Sequence, residues 1–196
     1  SCGTKTTNVT PTTQENSVKQ VQLTDGLETV EVKSNPKKIV TFDLGAADTL
    51  RAIGQGETIV GMPTKPLPTY IKDLGEKVQN VGSMKEPDIE AIAAMQPDLI
   101  IASARTKDFI PQLKEIAPTV IFNVDSKDYW GSVQKNVKNL ASLFNEETQQ
   151  KASAQVKELQ TVIDSIASQN EKHSEKSLAI MLNEGKMSAF GAQSRF

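Results

Sequence analysis

Short apolar runs alternating with helical faces constrain this chain more than any other feature of it. Ile39-Val40-Thr41-Phe42, Thr58-Ile59-Val60-Gly61, Leu99-Ile100-Ile101 and Val120-Ile121-Phe122 are too short for helices, and they lack the polar alternation of a strand with one wet side. They read as strands covered on both faces, the usual condition of a parallel sheet. Val78 to Val81 adds a further extended segment ending at Gly82. Helical faces fill the intervals. Asp43-Leu44-Gly45 turns into a helix carrying Leu50 and Ile53 until Gly54, and Tyr70, Ile71 and Leu74 form a short face after the stiff Pro66-Leu67-Pro68 loop. Asp88 caps a helix with the stripe Ile89, Ile92, Ala93 and Met95, closed by Pro97; Phe109, Leu113 and Ile116 follow, ended by Ala117-Pro118. Strands and helices in alternation with short connections predict an α/β lobe built on a doubly wound, mostly parallel sheet.

The flanks depart from this pattern. Val18 to Leu23 and Leu27 to Val32 surround Asp25-Gly26, a preferred dipeptide of tight hairpin turns, so an antiparallel hairpin is expected ahead of the lobe. After Asp125, Trp130, Val133, Val137, Leu140, Leu143 and Phe144 mark a helix with a broad apolar face, Trp130 reading as core. From Glu146 to about Asn170 there is neither Gly nor Pro, while Ala152, Val156, Leu159, Val162, Ile163 and Ile166 keep helical spacing. Such a helix spans roughly 35 Å, more than a crossover needs. Leu178 to Leu182 and Met187 to Phe190, around Asn183-Glu184-Gly185-Lys186, read as a second hairpin. Two strands alone are marginal. The expected organisation is therefore a tether over 1–17, a ligand-binding lobe over 18–145, a long interlobe helix over 146–172, and over 173–196 the first hairpin of a second lobe whose remainder lies beyond Phe196.

Composition excludes several function classes. With 196 residues, 37% hydrophobic and 23% charged, the chain can build one good core, and its net charge of −2 argues against bulk nucleic-acid binding. No apolar run is long enough to span a bilayer. The single cysteine, Cys2, stands in Ser1-Cys2-Gly3 ahead of the polar Thr4–Ser17 stretch, which reads as a processed bacterial lipoprotein terminus with lipid on Cys2; a solvated cysteine near a loose end is the alternative. The one histidine, His173, lies among charged residues, and neither a His-carboxylate cluster nor a cysteine set suggests a resident metal or cofactor. No Ser/His/Asp set, phosphate loop or paired-carboxylate spacing stands out for catalysis.

One charge is placed where ligands bind. Arg105 follows the Leu99-Ile100-Ile101 strand, just ahead of a helix start expected near Thr106. In open α/β sheets that carboxyl edge is the usual ligand site, and an arginine supplies a permanent charge with five fixed donors. Taken alone, a solvated loop arginine or a helix-start pairing explains it better.

The chain resembles the substrate-binding lipoproteins of ABC importers for ferric siderophores, proteins of the class III periplasmic-binding fold in which two α/β lobes are joined by one long helix. The resemblance rests on Lys37 to Leu50 (KKIVTFDLGAADTL), on Val81 to Asp88 (VGSMKEPD) with Pro97 to Arg105 (PDLIIASAR), and on Lys186 to Phe196 (KMSAFGAQSRF), the last close to the petrobactin and other catecholate branch. It implies an extracytoplasmic, membrane-anchored protein that binds a ferric catecholate between its lobes and delivers it to an ABC permease. Carried over by motif, Arg105 and Arg195 supply the cationic clamp, Glu90 docks on the permease, and Cys2 is the lipidation site. Lys85, Met62, Lys65 and Tyr70 stand in loops expected to open on the same edge, with Asn183 and Ser188 as further candidates, though solvation, packing or turn roles also account for each. A ferric catecholate is anionic with its iron already ligated, so the protein needs fixed cations rather than metal ligands of its own. Haem or cobalamin is the alternative ligand within the fold, and an α/β enzyme or interaction domain the alternative from another class. A chain carrying half a cleft is also expected to self-associate through uncovered apolar surface.

Overall fold

A computed structural model of the chain describes residues 19–24 and 28–169. The expectations for Cys2 and the tether, the Asp25-Gly26 turn, His173, the hairpin with Asn183 and Ser188, and Arg195 lie outside the described residues.

The apolar runs pair as a parallel sheet because each is covered on both sides. Strands β3 (Ile39–Thr41), β4 (Ile59–Met62), β5 (Gln79–Asn80), β6 (Leu99–Ala102) and β7 (Thr119–Ile121) assemble in the order β5-β4-β3-β6-β7. Register is set by Ile39 opposite Leu99, Val40 opposite Ile100 and Thr41 opposite Ile101, and by Ile100 opposite Thr119 across the next pair. Alternation along each strand divides the core in two. Ile39, Leu99, Ile101 and Val120 pack on one face, whereas Val40, Phe42 and Ile100 pack on the other.

Helices cover both faces. On the first lie α1 (Leu44–Ala52), α2 (Lys72–Gly75), α5 (Tyr129–Ala141) and α6 (Glu146–Gln169), contributing among others Leu50, Leu74, Leu140 and Leu159. On the second lie α3 (Ile89–Met95) and α4 (Ile110–Ile116), contributing Ile92 and Leu113. Local chemistry fixes where they begin. Asp43, Asp88 and Asp128 each accept a backbone N–H of the first turn, from Ala46 at 3.0 Å, Ala91 at 3.1 Å and Gly131 at 3.2 Å. Gly61 is required by close packing: a Cβ there would lie 2.6 Å from Val81 Cγ1 and 3.1 Å from Met95 Sδ.

Two flanking elements are tied to this lobe. The hairpin β1 (Gln20–Thr24) and β2 (Thr29–Lys33) pairs Gln20 with Lys33 through Thr24 with Thr29, and buries Leu23 and Val32. It reaches both helical layers, since Asn139 of α5 donates to the Thr24 carbonyl and Lys114 of α4 is ion-paired with Glu28. The 24-residue α6, roughly 36 Å long, buries Thr148, Ala152 and Leu159. Gln55 donates to Thr148 Oγ1 at 3.0 Å, and the Trp130 indole N–H donates to Gln160 Oε1. Trp130 is accordingly half-buried against the core rather than inside it, because its polar edge turns to α6.

Several sequence-based boundaries move. The seventh strand begins at Thr119 rather than Val120 and stops before Phe122, and the extended segment near Val78 pairs only at Gln79 and Asn80. The turn after β6 starts at Ala104, two residues before the expected helix start, as a six-residue 3-10 helix over Ala104–Phe109. No helix among the described residues is long and apolar enough to cross a membrane.

Candidate functional site: the carboxyl edge at the sheet's switch point

The chain fills the sheet outward from β3 to β4 and β5, then returns to place β6 and β7 on the other side. Connections therefore diverge between β3 and β6, and the crevice at their carboxyl ends is the topological switch point at which open α/β sheets bind ligands. Phe42-Asp43 leaves one side of it and Ser103-Ala104-Arg105 the other.

Arg105 stands exposed in the first turn after β6. The buried Thr106 holds that turn: its hydroxyl donates to the Ser103 carbonyl at 2.9 Å and accepts the Ser103 N–H at 2.8 Å, while its own N–H reaches the Ser103 carbonyl at 3.0 Å. Of the two arginines among the described residues, Arg51 is committed to internal structure, bonding Asp48 at 2.9 Å, Asp73 at 2.7 Å and the Tyr70 carbonyl at 2.9 Å. Arg105 has no ion pair or side-chain hydrogen bond among the described residues. Its charge faces solvent at the switch point.

The other predicted positions divide. Lys65 and Lys85 are exposed in the loops that follow β4 and β5, and so leave the sheet by the same edge as Arg105. Ser83 and Glu86 pinch the second loop, with Gly82 at φ 90° where a Cβ would come within 2.4 Å of the Glu86 carbonyl oxygen. Tyr70 is half-buried, its carbonyl held by Arg51. Glu90 is exposed in the first turn of α3. Met62 is corrected: it has no solvent exposure and packs in the first core, because it is the last residue of β4 rather than the first of the loop.

A cavity of about 250 Å³, which sequence reasoning missed, has Ser103 and Ala104, the two residues before Arg105, in its lining. Asp43, Ser103, Phe122, Tyr129 and Asn136 line it, with Val133 of α5 among its apolar wall. Burial pushes the Asp43 carboxyl above its ordinary range, opposed by the N–H groups of Ala46 and Gly45. Tyr129 is likewise raised, by burial first and then by the Asp43 charge. The signal that finds Asp43 is the one that found Arg105: a charged residue directly past a buried strand.

A parallel sheet with helices on both faces, a ligand edge at its switch point and a long helix docked along one face define a lobe of the class III substrate-binding fold. The chain belongs to the periplasmic binding protein family, whose profile matches residues 39–196. Among its relatives, the petrobactin-binding protein YclQ of Bacillus subtilis is 37% identical over 167 residues, covering 85% of this chain and 52% of YclQ. Its crystal structure superposes with a TM-score of 0.74 at 32% identity, over 79% of this chain and 54% of that one. The iron-uptake substrate-binding protein PiuA of Streptococcus pneumoniae gives 0.75 at 54% identity, over 79% of this chain and 54% of PiuA. The catecholate-siderophore-binding protein VctP of Vibrio cholerae gives 0.67 at 26% identity, over 79% and 55%. The chain thus spans about half the length of these relatives.

Proposed function

We propose that this chain carries the Arg105-bearing lobe of an extracytoplasmic solute-binding protein that captures a ferric catecholate-type siderophore and delivers it to an ABC permease. The observation that carries the reading is the exposed guanidinium of Arg105 at the switch point, without an ion pair or side-chain hydrogen bond among the described residues, on the same sheet edge as the exposed Lys65 and Lys85 loops. An iron chelate with excess negative charge is held by such donors without displacing a ligand from the metal, and a planar guanidinium also stacks on aromatic rings. The relatives support the ligand class, since one is named for petrobactin, one for iron uptake and one for catecholate siderophores. Members of the family are non-enzymatic solute-binding proteins.

The finer assignments follow from the same reading. Arg195 supplies the opposing cation of the clamp, Glu90 meets the permease, and a lipidated Cys2 anchors the protein outside the cytoplasm. Relatives named as substrate-binding lipoproteins support the last of these. Titration of the intact protein with a ferric catecholate, followed by quenching of Trp130 and tyrosine fluorescence, tests the proposal. Saturable quenching that Arg105→Ala weakens about tenfold is expected; affinity unchanged by that substitution sinks the clamp.

A further inference from the structure

The cavity beside Asp43 differs in chemistry from the rim that Arg105 occupies. Two carboxylates, Asp43 and Asp48, line it, and among the described residues no lysine or arginine does. Asp48 is answered by Arg51 at 2.9 Å. Asp43 has only the N–H groups of Ala46 and Gly45 to balance its charge among the described residues. An anion entering this space meets like charge, whereas a cation gains a partner for a carboxylate that burial has left costly. Tyr129 and Asn136 add further oxygen atoms to the lining.

The remaining wall is apolar, with Val133 and Val137 facing it from α5. Val124 also lines it, 44% exposed and the one large hydrophobic residue so exposed among the described residues. A volume of about 250 Å³ far exceeds the space of one water molecule. Space lined by both apolar side chains and carboxylates suits an aliphatic chain bearing an ammonium group. Its lining includes Ser103 and Ala104, the residues immediately before Arg105.

The geometry points to this cavity as a second subsite of the cleft, one that takes an aliphatic ammonium arm of a ligand whose anionic portion faces Arg105. For the anionic portion the inference rests on the ferric-chelate reading above; the ammonium subsite stands on the cavity itself. Asp43 also caps α1, so the test must remove its charge without removing the cap. Asparagine and serine both cap helices well.

The experiment is calorimetric titration of the intact protein, of Asp43→Asn and of Asp43→Ser with three probes: 1,5-diaminopentane, and two ferric bis-catecholates identical except that the linker carries a protonated secondary amine in one and a methylene in the other. Wild type is expected to favour the amine-linked chelate about tenfold, the scale of one charged hydrogen bond, and to bind the diamine weakly. Both variants bring the two chelates to parity. A wild type without preference, or a preference that survives both substitutions, overturns the subsite and leaves the chelate reading in place. Binding of the diamine by wild type alone, with neither chelate bound, upholds the subsite and removes the chelate reading. Should the cap variants fail to fold, as read by circular dichroism, Tyr129→Phe replaces them, and an undiminished preference in that variant overturns the assignment.

Discussion

Arg51 Nη2 donates to Asp48 Oδ1 at 2.9 Å across one turn of α1, and Asp48 is wholly buried. The same nitrogen holds the Tyr70 carbonyl, so one guanidinium satisfies a buried carboxylate and anchors the segment that carries α2. Arg51→Ala leaves that carboxylate in the interior without its cation, and a loss of about 3 kcal/mol is expected in urea unfolding. Arg51→Lys should recover only part of it, because an ammonium cannot reproduce the forked geometry. Equal stability of Arg51→Ala and wild type would disprove the role.

Gly61 faces Val81 and Met95 with no room for a methyl group. Gly61→Ala is expected to cost about 2 kcal/mol through overpacking. Adding Val81→Ala removes the nearest obstacle, so the double variant should lose less than the sum of the two single losses. Strict additivity in chemical denaturation would place the strain elsewhere.

Two carboxyl groups give stability opposite pH slopes. Asp43 is raised by burial, so the folded state binds its proton more tightly than the unfolded state does. Its contribution is then favourable in acid and is lost as pH rises from the unfolded value of about 4 through the raised folded value. For Asp73 burial raises the value, but the hydrogen bond and charge of Arg51 together with the backbone N–H groups of Asp73 and Leu74 outweigh it and lower it, so its contribution is present above the ordinary value and lost as pH falls through the lowered one. Melting temperatures across pH should therefore flatten on the neutral side in Asp43→Asn and on the acid side in Asp73→Asn. Unchanged slopes in both would refute the assignment.

Arg105→Ala separates binding from folding. An exposed side chain without a partner among the described residues contributes little to the folded state, so its removal should change stability by less than about 0.5 kcal/mol. Chelate affinity is where its loss belongs. A large drop in melting temperature would assign Arg105 an internal partner instead.

The strands of the sheet were legible because burial on both faces leaves an unbroken apolar run, as in Leu99-Ile100-Ile101. Their order was not, since nothing local in Ile39–Thr41 states that it lies between β4 and β6; that depends on which runs meet after the chain turns back. Met62 was misplaced for a related reason. A methionine at the end of a strand and one at the start of a loop read alike, and only packing beneath α1 and α2 decides between them. Arg105 was found from position alone, but its lack of a partner required seeing that Asp48 and Asp73 go to Arg51. Asp43 was read only as part of a turn, because a capping aspartate and a cavity-lining one have the same sequence signature.

Gln55 with Thr148 and Trp130 with Gln160 grip α6 at two points twelve residues apart, about 18 Å along its axis. A rod held at one point can swing; held at two, it has a bearing. The direction in which the backbone passes Gln169 is thus decided within the lobe, by an amide and an indole, and any softening of either grip is magnified in proportion to the length of helix beyond it.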